Sequence, residues 1–330
     1  MATCSDGKLD AVALGELLID FACIDSDSDG YPTLHANPGG APANYLAAIQ
    51  AFGGRTAMLG KVGNDTFGRL LVKTLEEKGI SSEGIAVDDD VFTTLAFVTF
   101  TKERDRVFSF SRKPGADTCL RADEVRDDLI GKARVFHFGT LSLTDEPARS
   151  ATMHAVSCAR QKGCLISFDP NLRKMLWKDL EEARRMMLWG LEQSDVVKIS
   201  DEEAEFLFGK RSDSEYESII LGKGARLLYI TKGRNGVFYS NGAYSGSMGI
   251  YDAGKPLDTT GAGDIFGGSA MHAFLSYGKA PEELDGEELR AIAAFATVSS
   301  GLSTMRHGGI SSIPERDDVL EHLRRFEGKR

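Results

Sequence analysis

A rhythm constrains this chain more than any single motif. From about residue 120 onward, short apolar runs at 135–138, 165–168, 196–199 and 227–231 alternate with helix-like segments such as 146–162 and 180–193. Such alternation predicts a mainly parallel sheet with helices on both faces. Parallel neighbours need a crossover, and the crossover helix buries its apolar side on the sheet. The earlier part departs from the rhythm. Residues 11–24 are an apolar run interrupted at Gly15-Glu16, and the polar stretch 25–30 reads as a turn between short strands. Residues 92–100 and 106–111, rich in Phe, Val and Thr, flank the charged insert Lys102-Glu103-Arg104-Asp105 and read as a hairpin. These segments predict a small β appendage, 19–36 and 91–117, on an α/β body made of 1–18, 37–90 and 118–330.

Local punctuation agrees. Gly39-Gly40-Ala41-Pro42 leads into a helical pattern over 43–52, which Gly53-Gly54 closes. Residues 56–62 read as the next strand, and Asp65 is a candidate N-cap for a helix ending near Lys78, with Gly79 just beyond.

Composition narrows the function. With 42% hydrophobic and 27% charged residues over 330 positions, the chain is globular. Its net charge of -10 argues against a general nucleic-acid or anionic-membrane surface, though not against a local basic pocket. No apolar run approaches the roughly 20 residues that span a bilayer, and the opening MATCSDGKLD has no apolar core of a signal peptide. Cys4, Cys23, Cys119, Cys158 and Cys164 are odd in number, spread out and free of CxxC spacing. They suggest neither a disulfide framework nor a zinc site, and a cytoplasmic location is the expectation.

The segment richest in chemistry is Asp258-Thr259-Thr260-Gly261-Ala262-Gly263-Asp264, followed by an amphipathic run over 265–277 and Gly278. A helix N-terminus carries unpaired amides and the positive end of the helix dipole. Gly261 and Gly263 lack Cβ atoms, so an anion can approach those amides closely. Asp264, in the same turn, is placed to accept a proton from a hydroxyl while the amides hold a phosphoryl group. A plain glycine-preceded helix cap is the simpler reading of such residues; seven together in this context favour the site. Competing phosphate motifs are missing from the sequence: no Gly-Lys pair is followed by Ser or Thr, and Gly261, Gly263 and Gly267 lack dinucleotide-fold spacing.

The same seven residues resemble the C-terminal signature of the ribokinase-like (PfkB) carbohydrate kinases. Gly39-Gly40-Ala41-Pro42-Ala43-Asn44, with Gly53-Gly54 and Gly60-Lys61-Val62-Gly63, resembles their N-terminal signature. The fructokinase branch is the nearest in pattern. Phe138-Gly139-Thr140-Leu141-Ser142, Asp169-Pro170-Asn171-Leu172-Arg173 and the segment from Lys198 through Ser200 to Glu203 are similar to that branch. So, with substitutions, is Ser111-Arg112-Lys113-Pro114-Gly115-Ala116-Asp117.

The resemblance implies a ribokinase-like fold, with a central mainly parallel sheet flanked by helices and the β appendage acting as a lid over a sugar. It implies Asp264 as general base, with the amides of Gly261, Ala262 and Gly263 holding the transferring phosphoryl. Asp20, Gly39, Gly40, Asn44, Arg112 and Arg173 would bind the sugar. Asn171, Lys198, Thr231, Gly233 and Gly236 would meet the nucleotide. Glu203 would act on Mg²⁺ through water, and Asp258, Thr260 and Gly308 would hold a monovalent cation such as K⁺. Plainer readings stand beside these: Asp20 as a strand-end turn residue, Asn44 as a helix cap, the arginines as solvated surface groups, and Glu203 as part of an acidic helix start.

The implied reaction is ATP-dependent phosphorylation of a sugar hydroxyl, D-fructose to fructose 6-phosphate in the fructokinase branch. Ribose, 2-keto-3-deoxygluconate or a nucleoside remain alternative acceptors, and a non-catalytic sugar or nucleotide sensor is the alternative of another class. The expected partners are the small-molecule sugar and ATP, with no nucleic acid or membrane, and a homodimer formed through the lid.

Overall fold

The computed structural model describes residues 8–26, 28–29, 31–100 and 106–328. The charged insert at 102–105 lies outside them, as do two residues of the turn at 25–30. In chain order the strands are β1 (Leu9–Leu14), β2 (Leu18–Ser26), β3 (Pro32–Gly39), β4 (Thr56–Gly63), β5 (Ser81–Asp88), β6 (Leu95–Phe100) and β7 (Arg106–Ser111). They continue as β8 (Ala133–Gly139), β9 (Leu165–Asp169), β10 (Val196–Ser200), β11 (Leu227–Thr231), β12 (Val237–Ser240) and β13 (Ser245–Met248). The helices are α1 (Ala41–Ala51), α2 (Thr66–Glu77), α3 (Asp127–Ile130), α4 (Ala148–Gln161) and α5 (Leu180–Glu192), then α6 (Asp201–Phe208), α7 (Asp213–Leu221), α8 (Ala262–Tyr277), α9 (Gly286–Ser303) and α10 (Arg316–Glu327).

Nine strands form one sheet in the order β13-β12-β11-β10-β9-β8-β1-β4-β5. It is parallel from β11 through β5, and only β12 and β13 run antiparallel. Alternate residues of a strand face opposite sides. Val12 and Leu14 therefore join a core with Phe136, Phe138 and Phe168, while Ala11 and Ala13 join the opposite core with Met58, Val135 and Phe266. Strand β4 is buried at every position, as a parallel strand covered on both faces should be. The Asp65 cap forms as the sequence suggests: its carboxylate accepts the amides of Phe67 at 2.8 Å and Gly68 at 2.9 Å.

Four strands, β3-β2-β6-β7, form a separate small sheet. Strands β6 and β7 are the antiparallel pair read from the sequence as a hairpin. The chain leaves the large sheet at Leu14 and enters the small one at Leu18, so residues 15–17 are a joint between the two. The carboxyl ends of β1, β8, β9, β10 and β11 open on one edge, where ligands bind in sheets of this kind. Among the described residues no helix is long and apolar enough to cross a membrane.

Candidate active site

Helix α8 starts at the predicted glycines. Gly261 is its N-cap with φ 74, a left-handed conformation that favours glycine. A Cβ there would lie 3.0 Å from Asn44 Nδ2, so the turn sits directly against α1. Ala262 donates its amide to the Thr259 carbonyl at 3.3 Å. The amides of Gly263 and Asp264 have no intrahelical carbonyl one turn back, so they remain the natural anion donors.

Asp264 is half-buried and held from two sides. Its Oδ2 accepts from Asn44 Nδ2 at 2.9 Å, and its Oδ1 from Asn171 Nδ2 at 3.4 Å. Burial raises its carboxyl above the ordinary range, while the Lys198 cation, the Asn44 bond and Arg173 favour the ionised form. Asn171 reaches it from a left-handed backbone, φ 44, the one such non-glycine among the described residues. Strain at that position is the kind that recurs at functional sites.

Asp264 opens on a cleft of about 710 Å³. Its polar lining includes Glu16, Asp20, Asn44, Asn171, Arg173 and Thr260, with Leu18, Phe110 and Leu141 as apolar walls. Asp20 and Asn44 thus share the cleft with Asp264. Gly39 and Gly40 shape this wall. A Cβ on Gly39 would meet Asp20 Oδ2 at 2.7 Å, and one on Gly40, with φ 118, would meet the Glu16 carbonyl at 2.2 Å. No side-chain or amide donor bonds the Asp20 carboxylate among the described residues. Burial pushes that carboxyl up to about 7, with Arg173 opposing and Asp264 and Asp258 reinforcing.

Beside the base lies a charged pair. Lys198 Nζ donates to Asp169 Oδ2 at 2.7 Å. A Cβ on Gly263 would come within 3.0 Å of Lys198 Nζ, which places the cation against the start of α8. Burial works against the Lys198 charge, but Asp169, Glu203 and Asp264 outweigh it and hold its pKa above the ordinary value. Glu203 braces two loops: Oε1 accepts the Leu172 amide at 2.7 Å, and Oε2 the Ser200 amide at 2.9 Å. Among the described residues no group of three His, Cys, Asp or Glu side chains could hold a metal.

Thr231 ends β11 beside Ser200 of β10, on the same edge. Gly233 and Gly236 belong to the turn into β12. Packing alone accounts for Gly236, since a Cβ there would lie 2.0 Å from the Met248 carbonyl.

One sequence expectation needs correction. Arg112, assigned to the sugar, is buried and does not line the cleft. It bonds Asp117 at 2.7 and 2.8 Å, Thr144 Oγ1 at 2.9 Å and the Leu141 carbonyl at 2.9 Å, tying the end of β7 to the body. The residues expected to hold a cation are joined to one another. Asp258 Oδ1 accepts from the Thr260 amide and hydroxyl at 2.9 and 2.7 Å, and Oδ2 from the Gly308 amide at 3.0 Å. Glu16 and Asp169 were given no role from the sequence. The signal for Glu16 was present, an acid at the break in the run 11–24.

A carboxylate beside bare helix-start amides, at the carboxyl edge of a parallel sheet, defines a phosphoryl-transfer enzyme whose acceptor enters through a polar cleft. Comparison with known proteins agrees. The pfkB family carbohydrate kinase pattern matches residues 8–316, and the chain belongs to that family, phosphotransferases with an alcohol group as acceptor. It is 39% identical over 325 residues to probable fructokinase-2 of Arabidopsis thaliana, covering 97% of both chains. Its fold is similar to that of a fructokinase from Xylella fastidiosa solved with bound ATP, with TM-score 0.87 and 29% identity, covering 96% of this chain and 99% of that one. It is similar, too, to a double-mutant fructokinase from Vibrio cholerae O395 in a form with fructose, ADP and potassium ion. There the TM-score is 0.84 and the identity 28%, covering 97% of this chain and 100% of that one.

Proposed function

We propose that this protein is an ATP-dependent fructokinase, transferring the γ-phosphoryl of ATP to the primary hydroxyl that yields fructose 6-phosphate and ADP. One observation carries the reading: Asp264, oriented by Asn44 and Asn171 at the start of α8, faces the cleft that Asp20 also lines. The near full-length likeness to fructokinases supports fructose as the acceptor.

In this reading Asp264 takes the proton of the sugar hydroxyl as its oxygen bonds the γ-phosphorus and the bond to ADP breaks. The amides of Gly263 and Asp264, with Lys198, stabilise the charge on the transferring group. When bound, Mg²⁺ offsets phosphate charge; Asp169 and Glu203 would hold it through its waters. K⁺, when bound, would be held beside Asp258, Thr260 and Gly308. No step is routed through it.

The small sheet would act as a lid that excludes water from the cleft. Pairing of two such sheets into a homodimer is part of this reading, which sedimentation would check. Free cysteines at 23, 119, 158 and 164 are in keeping with a cytoplasmic setting. The deciding experiment is an acceptor panel of fructose, ribose, 2-keto-3-deoxygluconate and a nucleoside with ATP. Fructose is expected to have the highest kcat/KM. Faster turnover of another member would reassign the acceptor, and ATP use on none would reject the kinase reading.

A further inference from the structure

Glu16 is an acid that the proposed mechanism leaves unused. It sits in the joint between β1 and β2 and is only 4% exposed, yet it lines the cleft with Asp20, Asn44 and Asp264. Its Oε1 accepts the Ala41 amide, at the start of α1, at 2.8 Å. No side-chain donor reaches its carboxylate among the described residues. Arg112 attracts it from a distance, but that guanidinium is already committed to Asp117, Thr144 and Leu141. Burial pushes the Glu16 carboxyl up to about 7, with its own amide and that of Ala41 pulling down.

Capping α1 does not need this arrangement. Serine, threonine or asparagine caps a helix without burying a carboxyl that lacks a side-chain donor. A second oxygen with no side-chain donor, in the wall of the acceptor cleft, has the character of a site completed by its ligand. The charged lining around it is Glu16, Asp20 and Asp264 against Arg173 alone, which suits a neutral polyol and disfavours an anion.

We propose that Glu16 is a sugar-binding residue, its Oε2 accepting a hydrogen bond from one hydroxyl of a neutral acceptor sugar while Oε1 stays on Ala41. The proposal rests on the sugar-kinase reading. Its test compares wild type with Glu16→Gln, which keeps an oxygen for Ala41, on fructose, on deoxyfructoses lacking the hydroxyl at carbon one, three or four, and on 2,5-anhydromannitol. Glu16→Gln is expected to raise the KM for fructose about 10-fold or more, leave the KM for ATP unchanged, and show no penalty on the one analogue that lacks the partner hydroxyl. An equal penalty on every analogue, or a loss of thermal stability with an unchanged sugar KM, would make Glu16 a helix cap only and overturn the proposal. Wild type that phosphorylates none of the panel sugars would instead remove the kinase reading on which it rests.

Discussion

Two walls of one cleft treat their carboxylates in opposite ways. At the start of α8, Asp264 has amide donors on both oxygens, Asn44 at 2.9 Å and Asn171 at 3.4 Å, with a lysine cation close by. Where the chain enters the small sheet, Asp20 has no donor among the described residues, and Glu16 has only backbone amides, its own and that of Ala41. Burial raises all three carboxyls, but only at Asp264 do side-chain amides and a lysine cation act against it. The contrast separates two tasks. A base must be oriented and ionised before its substrate arrives, so the protein supplies its partners. A binding carboxylate can leave its acceptor positions open, because the ligand's hydroxyls fill them.

The largest expected break in this comparison is Asp264→Asn. Turnover should fall by about 1,000-fold or more, with the sugar KM within about 3-fold of wild type. Steady-state kinetics would detect it, and near-normal kcat would strip Asp264 of its role. Next is Asp20→Asn, expected to raise the sugar KM by about 10- to 100-fold while sparing the KM for ATP. An effect mainly on kcat would mean that the two walls share one task.

Asn44→Ala tests orientation directly. Its amide favours ionised Asp264, so its loss should lower kcat about 10-fold and move the acid limb of the pH–rate profile upward. A profile left in place would show that Asn44 serves only packing.

The smallest effect concerns stability. The Asp20 carboxyl titrates near 7 when folded, against 3.8 in an ordinary setting. Folding therefore takes up a proton, and this residue's contribution to stability is full below the unfolded value and lost as pH rises through the folded one. Asp20→Asn removes that dependence. Relative to wild type, its Tm should rise by about 2 °C between pH 5 and pH 8 in the absence of sugar. A constant difference would place Asp20 in contact with water.

How legible all this was from sequence depended on distance along the chain. Strands β8 to β11 fell where the apolar runs predicted, and the Asp65 cap formed as read, because periodicity and capping act within a few residues. Helix α9 escaped for a local reason as well: it is buried on most of its surface, so it shows no polar stripe to mark its period. Arg112 was misread because its partners Asp117, Leu141 and Thr144 are chosen by tertiary packing, and an exposed or a buried arginine looks the same in a string of letters.

Sequence alone thus determined the alternating α/β plan and the glycine-rich helix start with its acid, since backbone freedom and helix ends are properties of neighbouring residues. Tertiary structure alone decided which acids share the cleft and what each one lacks. Asn44 meets Asp264 across 220 positions of chain, and burial, which sets the charge of every carboxyl there, does not exist until the two sheets close around them.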